Sequence, residues 1–295
     1  VQRGLDLKKI GNQLIELVGG RAIHPINVRI GGFYHVPTEA ELGAFAPKLQ
    51  RARDLAIDTI RWVSGFEFPD HRWDGELAAL RQPGEYAITR GRLVSTLGLD
   101  IAPEEFEQHI AEEHVEHSTA LHARIIERGE YLLGPLARMA INFDELSPLA
   151  KSEAAAAGLT AAERNPFRSI VVRAVEVLHA CDEALTIIAG YRQPDRPAVD
   201  VEPRAGVGYG WTEAPRGMLW HRYELDADGS IRNARIVPPT SQNQASIEHD
   251  LFQFVSANLD LADDELRHRS EQVIRNFDPC ISCATHFLDL TVDRS

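Results

Sequence analysis

Two cysteines and a histidine near the C-terminus are the residues of this chain best suited to metal chemistry. Cys280 and Cys283 lie in the segment DPCISCATH, which ends at His286. Two intervening residues let both sulfurs converge on one point, as a metal site or a redox dithiol requires. A redox pair of the thioredoxin kind follows a strand and opens a helix, whereas this pair follows a predicted helix. The spacing therefore favours metal binding, with two cysteines of no special role as the alternative.

The segment provides too few ligands to complete a metal site. Such a site needs about four ligands, and the segment has two thiols. Cys181, the third cysteine, lies in the helical pattern VLHACDEALTI, where a cysteine usually fills a small buried apolar position. Further ligands are therefore expected from elsewhere, including a part of the protein that this sequence does not contain.

The elements that position these residues are predicted to be mainly helices. Apolar spacing and capping residues, including Thr38 before the second helix, predict helices over residues 1–18, 39–66, 103–143, 165–191, 242–259 and 262–277. Residues 26–30 alternate like a short strand, and residues 217–240 read as two strands joined by a turn at DADG. We predict a single domain over residues 1–295, mainly α with a small β-hairpin region, an α+β fold.

Composition narrows the class of protein. The formal net charge of −13 argues against nucleic acid as a partner, because phosphate binding requires a basic surface. The sequence contains no run of about 18 apolar residues, so it predicts no transmembrane span. Three cysteines in 295 residues cannot form a disulfide framework, which favours a reducing compartment. A cytoplasmic protein is the prediction.

The segment QHIAEEHVEHSTALH concentrates histidines and carboxylates. His114 and His117 are three residues apart on a predicted helix, with Glu113 and Glu116 beside them. A di-iron site in a helix bundle needs Glu-x-x-His on two helices, and the sequence has no second copy. We interpret the segment as a solvated acidic face.

Three segments resemble characteristic segments of nickel–iron hydrogenase large subunits and occur in the same order along the chain. DPCISCATH resembles the C-terminal signature Asp-Pro-Cys-x-x-Cys-x-x-His. EAPRGMLWHRYELDADGSIRNARIVPPTSQN is similar to the Glu-Ala-Pro-Arg-Gly segment and the Pro-Thr-x-x-Asn turn that follows it. GGRAIHPINVRIGGF resembles the Gly-Gly-Arg-x-x-His-Pro segment. The resemblance covers almost the whole chain, implies the family's helical core, and is greatest to the cytoplasmic, NAD(P)-linked branch.

The resemblance implies a role for particular residues. Cys280 would be a terminal nickel ligand, and Cys283 would bridge the nickel to an iron that carries CO and two cyanides. Soft thiolates suit both metals. His286 would bind a nearby magnesium or similar ion. Arg216 would stand over the diatomic ligands, and Thr240 would donate a hydrogen bond to a cyanide nitrogen. His24, in the GGRAIHP segment, is expected to be buried and hydrogen-bonded.

The resemblance also implies a reaction and partners. The reaction is the reversible heterolytic cleavage of H2. Electrons would pass to an iron–sulfur small subunit and on, through a diaphorase or similar module, to NAD(P) or another soluble carrier. A nickel chaperone and a maturation protease, which would remove residues 287–295, are the other implied partners.

One departure from the family pattern limits these expectations. The family's other two nickel ligands lie in an Arg-x-Cys-Gly-x-Cys motif upstream of the GGRAIHP segment, and no such motif occurs here. We therefore expect a large subunit that lacks its N-terminal part and is inactive alone. A split gene or a decayed copy are the alternatives.

Two rival functions come from other classes. One is a non-catalytic relative of the quinone-side subunit of respiratory complex I, but such relatives lack the paired cysteines. The other is a zinc-binding interaction module, which predicts zinc without nickel and iron.

Overall fold

The structure, a computed structural model, describes residues 2–279. Cys280, Cys283 and His286 therefore lie outside the described residues. The helices of the described range are α1 (Gln2–Gly19), α2 (Glu39–Val63), α3 (Phe106–His109), α4 (Pro135–Asn142), α5 (Pro148–Ala156), α6 (Ser169–Gly190), α7 (Pro239–Ala257) and α8 (Asp263–Asn276). Over residues 2–279, none of these helices combines the length and the apolar character of a membrane span.

The strands form four small sheets. The strands are β1 (Val28–Arg29), β2 (Gly32–Phe33), β3 (Glu76–Arg81), β4 (Arg92–Ser95), β5 (Asp100–Ile101), β6 (Ile110–Glu113), β7 (His122–Ile125), β8 (Tyr131–Leu132), β9 (Gly206–Ala214), β10 (Gly217–Leu225) and β11 (Ile231–Val237). β10 lies between β9 and β11 in an antiparallel sheet, and a second sheet has the order β5-β4-β3-β8. β1 pairs with β2, and β6 pairs with β7.

Helix α2 begins at a capping motif, and the spacing of its apolar residues gives it one buried side. The Thr38 side chain accepts a hydrogen bond from the Glu41 N–H at 3.1 Å, while Glu41 accepts one from the Thr38 N–H at 2.8 Å. This capping box satisfies two donors that a helix N-terminus leaves unpaired. The buried side of α2 recurs every three or four residues and consists of Leu42, Phe45, Leu49, Ala52, Ala56, Ile60 and Val63. The long helices α2 and α6 pack against each other along this side.

Strand β3 joins the two parts of the core. Leu77 and Ala79 belong to a helical cluster formed mainly by α2, α4, α5 and α6. Ala78 and Leu80 belong to a second cluster around the sheets, in which the rings of Phe106 and Trp220 stack 4.6 Å apart. Successive side chains of a strand point to opposite faces. β3 is therefore buried on both faces and holds the helices against the β-sheets.

The predicted α+β class is confirmed. The predicted helices at residues 1–18, 39–66, 165–191, 242–259 and 262–277 correspond to α1, α2, α6, α7 and α8. The DADG turn joins β10 to β11, with the Gly229 N–H donating to the Asp226 carbonyl at 3.0 Å. The single domain over residues 1–295 stays a prediction.

The prediction that residues 103–143 are mostly helical is wrong. That range contains the one-turn α3, the hairpin of β6 and β7, β8 and α4. Residues 110–113 pair with 122–125, and burial of Ile110, Ala123 and Ile125 in the sheet cluster outweighs the helical preference of the acidic residues. The small hairpin region is also larger than expected, because β3, β4, β5 and β8 form a further sheet.

Candidate functional site

Asp278 lies two residues beyond the end of helix α8 and is followed by Pro279 and the cysteine pair. Its N–H donates to the Arg275 carbonyl at 3.0 Å, and its φ of 49° is in the left-handed region. Aspartate tolerates this conformation better than most residues, and a left-handed residue is a common way to end a helix. The chain therefore turns at Asp278, two residues before Cys280.

Arg216 lies in the tight loop between β9 and β10, together with Pro215. Its Nε donates to the main-chain carbonyl of Asp278 and lies 3.4 Å from Oδ2 of the same residue. The Arg216 side chain is 37% exposed. The structure places its guanidinium against Asp278, two residues before Cys280.

Two glycines allow the backbone at Arg216 to be approached closely. Gly217 has a φ of 138°, and a Cβ there would lie 2.5 Å from Cβ of Leu133. Gly134 has a φ of 96°, and a Cβ there would lie 2.8 Å from the Arg216 carbonyl oxygen. Only glycine adopts such angles at low cost. The loop that leads from β8 into α4 therefore packs directly on the Arg216 loop.

A buried arginine that sequence reasoning missed holds this loop. Arg138, on α4, is 3% exposed and donates to the carbonyls of Ala214 and Pro215 at 2.9 and 3.0 Å. It also bonds Glu213 at 3.0 Å and pairs with both carboxylate oxygens of Glu176, at 2.6 and 2.9 Å. Arg138 thus fixes the three residues that precede Arg216. No spacing in the sequence links it to them, since Arg138 and Glu213 are 75 positions apart.

The charges of this network are balanced inside the protein. Burial by itself lowers the pKa of Arg138, but Glu176 and Glu213 outweigh it and raise the pKa well above its ordinary value. The remaining oxygen of Glu213 accepts the Leu80 N–H at 2.9 Å, and the Tyr86 hydroxyl donates to Glu176 at 2.8 Å. Buried charges are stable only when paired and hydrogen-bonded. Arg138 therefore remains a cation and a rigid support for the loop.

The first turn of α7 lies against the same loop. Thr240 is buried, with 5% exposure, at the second position of the helix, where a main-chain N–H has no partner in the helical ladder. Asn243, one turn later, donates to the Arg216 carbonyl at 3.0 Å and accepts the Leu133 N–H at 2.8 Å. Thr240 thus belongs to a helix start rather than to a turn. Asn243 is the asparagine of the PPTSQN segment, to which sequence reasoning gave no role.

The last described residues are held from the start of α6. The Ser169 hydroxyl donates to the Asn276 carbonyl at 2.8 Å, and the Arg173 guanidinium donates to the same oxygen. Arg216, Asn243, Asn276 and Phe277 line a cavity of about 20 Å³, which is room for roughly one water molecule. The approach to Cys280 is therefore fixed by contacts from α6, α7 and the β9–β10 loop.

Cys181 fills a buried apolar position, as predicted. It is a free thiol buried with Ile10, Phe45, Leu49 and Ala52 in a cluster between α1, α2 and α6. Burial raises the pKa of its thiol to about 11, so it is not a thiolate at neutral pH. It lies 12 residues beyond Ser169 on α6, which is about 18 Å along the helix. Its apolar surroundings are typical of a cysteine with a structural role.

The structure corrects the expectation for His24. This residue is exposed, with a left-handed φ of 51°, and its carbonyl accepts from Arg21 at 2.6 Å. The side chain that organises the GGRAIHPINVRIGGF segment is Asn27. Its amide donates to the carbonyls of Val18 and His35, at 2.8 and 2.6 Å.

Comparisons with known proteins agree on one family. The family model for nickel-dependent hydrogenases matches residues 133–286, a range that contains Arg216, Thr240 and the whole cysteine motif. The chain is 29% identical to the sulfhydrogenase 1 subunit alpha of Pyrococcus furiosus, over 98% of this chain and 68% of that protein. It is 26% identical to the NAD-reducing hydrogenase HoxS subunit beta of Cupriavidus necator, over 98% of this chain and 66% of that protein.

Solved structures show the same fold. An NAD+-reducing [NiFe]-hydrogenase in the H2-reduced state superposes with a TM-score of 0.79 at 22% identity, over 97% of this chain and 68% of the other. A [NiFeSe]-hydrogenase from Dm. baculatum superposes with a TM-score of 0.72 at 20% identity, with the same coverage. The chain therefore spans about two thirds of the length of these proteins.

Proposed function

Because the chain belongs to the nickel-dependent hydrogenase family, we propose that it provides one side of a nickel–iron centre for the reversible heterolytic cleavage of H2. Family membership confirms the predicted resemblance, and it confirms the enzyme class, an oxidoreductase acting on hydrogen. The observation that carries the proposal is the contact of Arg216 with Asp278, two residues before Cys280.

The proposed ligands follow from the resemblance of the motif to the family's C-terminal signature. Cys280 would hold the nickel as a terminal ligand and Cys283 would be shared with the iron, and soft thiolates suit both metals. The family match runs through both residues. Bound there, the centre supplies the open metal position at which hydrogen is split. These 295 residues provide two of the four thiolates, so the other two come from polypeptide outside them.

Arg216 and Thr240 surround the centre without binding a metal. The guanidinium is charged at every physiological pH. Asp278 orients it from one side, while Asn243 and Arg138 fix its backbone from the other. With the centre bound, it would supply a fixed positive charge beside the CO and cyanide ligands of the iron. Thr240 would donate a hydrogen bond to a cyanide nitrogen from its hydroxyl or its main-chain N–H.

His286 and the residues after it complete the proposal for the C-terminus. By the resemblance, His286 would be a ligand of a magnesium or similar divalent ion beside the centre, and oxygen atoms would provide the other ligands of that ion. The family match ends at His286, leaving nine residues beyond it. We assign residues 287–295 as the segment that a maturation protease removes after a chaperone has delivered nickel.

The electron path is proposed from the relatives. Two of them are named as subunits, and one of these is NAD-reducing. An iron–sulfur small subunit takes the electrons from this chain and passes them to a diaphorase or similar module that serves NAD(P) or another soluble carrier. The assembly is cytoplasmic, which agrees with three cysteines in 295 residues.

Exchange of deuterium between D2 and water tests the reaction without any electron acceptor. The purified native complex is expected to form HD and H2 from D2 in H2O, because heterolytic cleavage scrambles the deuteron with solvent protons. Arg216→Lys is expected to lower this rate about 10²–10³-fold, the usual loss when one preorganised donor is removed. Arg204→Lys is the control, because Arg204 lies in an exposed loop. Absence of exchange in the nickel-loaded complex would contradict the proposed reaction.

A further inference from the structure

His117, His122 and Glu248 form a compact cluster where a hairpin packs on α7. His117 lies in the irregular segment between β6 and β7, His122 is the first residue of β7, and Glu248 is near the middle of α7. Nε2 of His117 is 3.0 Å from Oε2 of Glu248, and Nε2 of His122 is 3.1 Å from Oε1. One ligand atom from each residue lies within 4.8 Å of the other two. The cluster includes His117, but not His114, of the acidic segment.

One of the three ligand atoms is buried without a hydrogen bond. The His122 side chain is only 7% exposed, and its Nε2 has no hydrogen-bond partner. Oε1 of Glu248 is close enough but is not aligned for such a bond. A buried polar atom without a partner costs about 1–3 kcal/mol. An ion between His122 and Glu248 would supply the missing interaction.

We propose that His117, His122 and Glu248 bind a zinc ion, at a site distinct from the cysteine motif. Two imidazole nitrogens and one carboxylate oxygen are a typical zinc ligand set. Calcium and magnesium prefer oxygen ligands alone. Copper(I) and iron–sulfur clusters prefer sulfur, and the cluster contains none. The donor set therefore favours a divalent transition metal, and we assign zinc because it accepts three protein ligands of this kind with a water molecule as the fourth.

The observed distances fit a tetrahedral ion after a small movement. Ligand atoms about 2.1 Å from zinc lie about 3.4 Å from one another. The two histidine–glutamate distances, 3.0 and 3.1 Å, run to different oxygens of Glu248, so the carboxylate would rotate slightly to bring one oxygen within reach of an ion held by both imidazoles. The two imidazole rings stand almost perpendicular, at 81°, with centroids 5.9 Å apart. His117 is 67% exposed, so its ring can rotate towards His122 without disturbing the core.

The ion would join two elements that pack against each other. β7 packs on α7, and the zinc would tie the β6–β7 hairpin to the helix whose first turn carries Thr240 and Asn243. A ligand that binds only the folded state stabilises it. At a zinc concentration one hundred times Kd, we expect Tm to rise by about 4 °C for a chain of this size.

Zinc titration of the full chain tests the site. Cys280 and Cys283 are replaced first, because their thiols would compete for zinc. In Cys280→Ser/Cys283→Ser protein, we expect one zinc to be retained after dialysis and Tm to rise with zinc. Adding His117→Gln is expected to weaken zinc binding at least tenfold and to abolish the rise in Tm. Because His117 is exposed, this change leaves the fold intact. Adding His114→Gln instead, on the same segment, is expected to change neither result.

The outcomes separate this proposal from the proposed hydrogenase function. His122→Gln and Glu248→Gln are expected to weaken zinc binding as His117→Gln does, with unchanged circular dichroism before zinc is added. Failure of the Cys280→Ser/Cys283→Ser protein to retain zinc, or equal affinity in the His117→Gln and His114→Gln proteins, would overturn the zinc site. Neither result bears on deuterium exchange, which requires nickel and iron at the cysteine motif.

Discussion

The guanidinium of Arg216 contacts both the carboxylate and the main-chain carbonyl of Asp278, across 62 positions of sequence. Both residues remain about half exposed, so the pair contributes at most about 1 kcal/mol to stability. Its effect is one of orientation. It holds the β9–β10 loop against the point where the chain leaves α8 for Cys280.

Removing the charge of Asp278 tests this orienting role. Asp278→Asn keeps the main-chain carbonyl and a side chain that tolerates the left-handed backbone, but it loses the ion pair. We expect Tm to change by no more than a few degrees, whereas the rate of deuterium exchange falls about tenfold, equivalent to 1.4 kcal/mol of transition-state stabilisation. Asp228→Asn, in the exposed β10–β11 turn, is the control. Equal rates in the two variants would exclude a functional role for the pair.

Arg138 is expected to be the most sensitive single position of the loop support. Arg138→Met fills similar volume but leaves Glu213 and Glu176 buried without their cation. Breaking a buried ion pair in this way usually costs about 3–5 kcal/mol, and urea denaturation would measure the loss. Arg51→Met, which removes a pair with Asp6 on the surface, is the control and should leave stability within experimental error. A loss under about 1 kcal/mol in Arg138→Met would show that the network does not support the loop.

Asn243 links the start of α7 to the Arg216 loop. Asn243→Ala leaves the Leu133 N–H and the Arg216 carbonyl without their partner, and an unpaired buried group costs about 1–3 kcal/mol. Chemical denaturation should show this loss. The folded protein, in its native complex, should catalyse deuterium exchange between D2 and water more slowly because the Arg216 backbone is no longer fixed. Gln253→Ala, on the exposed side of the same helix, should change neither quantity. An unchanged rate of deuterium exchange between D2 and water in fully folded Asn243→Ala protein would show that Asn243 contributes to stability but not to the reaction.

His179 is expected to make stability depend on pH. Burial lowers its pKa below the ordinary 6.5, although Glu183 and Asp182 oppose the effect. Its Nδ1 accepts the Ser147 N–H at 3.1 Å. Below pH 6.5 the unfolded chain binds a proton that the folded chain resists, so stability falls as pH drops from 6.5 to the lower, folded pKa.

Denaturation at pH 7.5 and at pH 5.5 would measure the contribution of His179. The loss of stability between the two values should be smaller in His179→Gln, which cannot bind the proton. The exposed His114 is the matched position, and His114→Gln should lose as much stability as the unaltered protein. The same loss in all three proteins would mean that His179 does not couple protonation to folding.

Local signals account for the part of the fold that the sequence predicts. The capping box at Thr38, the apolar spacing of α2 and the turn at DADG all act over a few residues, so one sequence reveals them. β3 is different. Its sequence, ELAALR, consists mainly of good helix formers, and it becomes a strand because β4, β8 and the two clusters of the core enclose it. Long-range packing of this kind leaves no local pattern.

The candidate site also combines residues that the sequence identifies with residues that only the fold brings together. The sequence identifies Arg216 and Thr240, because each lies in a short motif that resembles a motif of the family. It does not identify Arg138 and His122, because their partners Glu213 and Glu248 lie 75 and 126 positions away in the sequence. Only the folded chain shows that a buried cation supports the loop and that a buried imidazole faces a carboxylate.

The metal content of the purified native complex tests the central claim most directly. We expect close to one nickel and one iron at the cysteine motif per copy of this chain, beyond the iron of any clusters in the partner subunits. Sulfur should surround the nickel in its X-ray absorption spectrum. Cys280→Ser or Cys283→Ser should remove the nickel, whereas Cys181→Ser should not. Zinc without nickel in the native complex, or full nickel loading in the Cys280→Ser and Cys283→Ser proteins, would contradict the account.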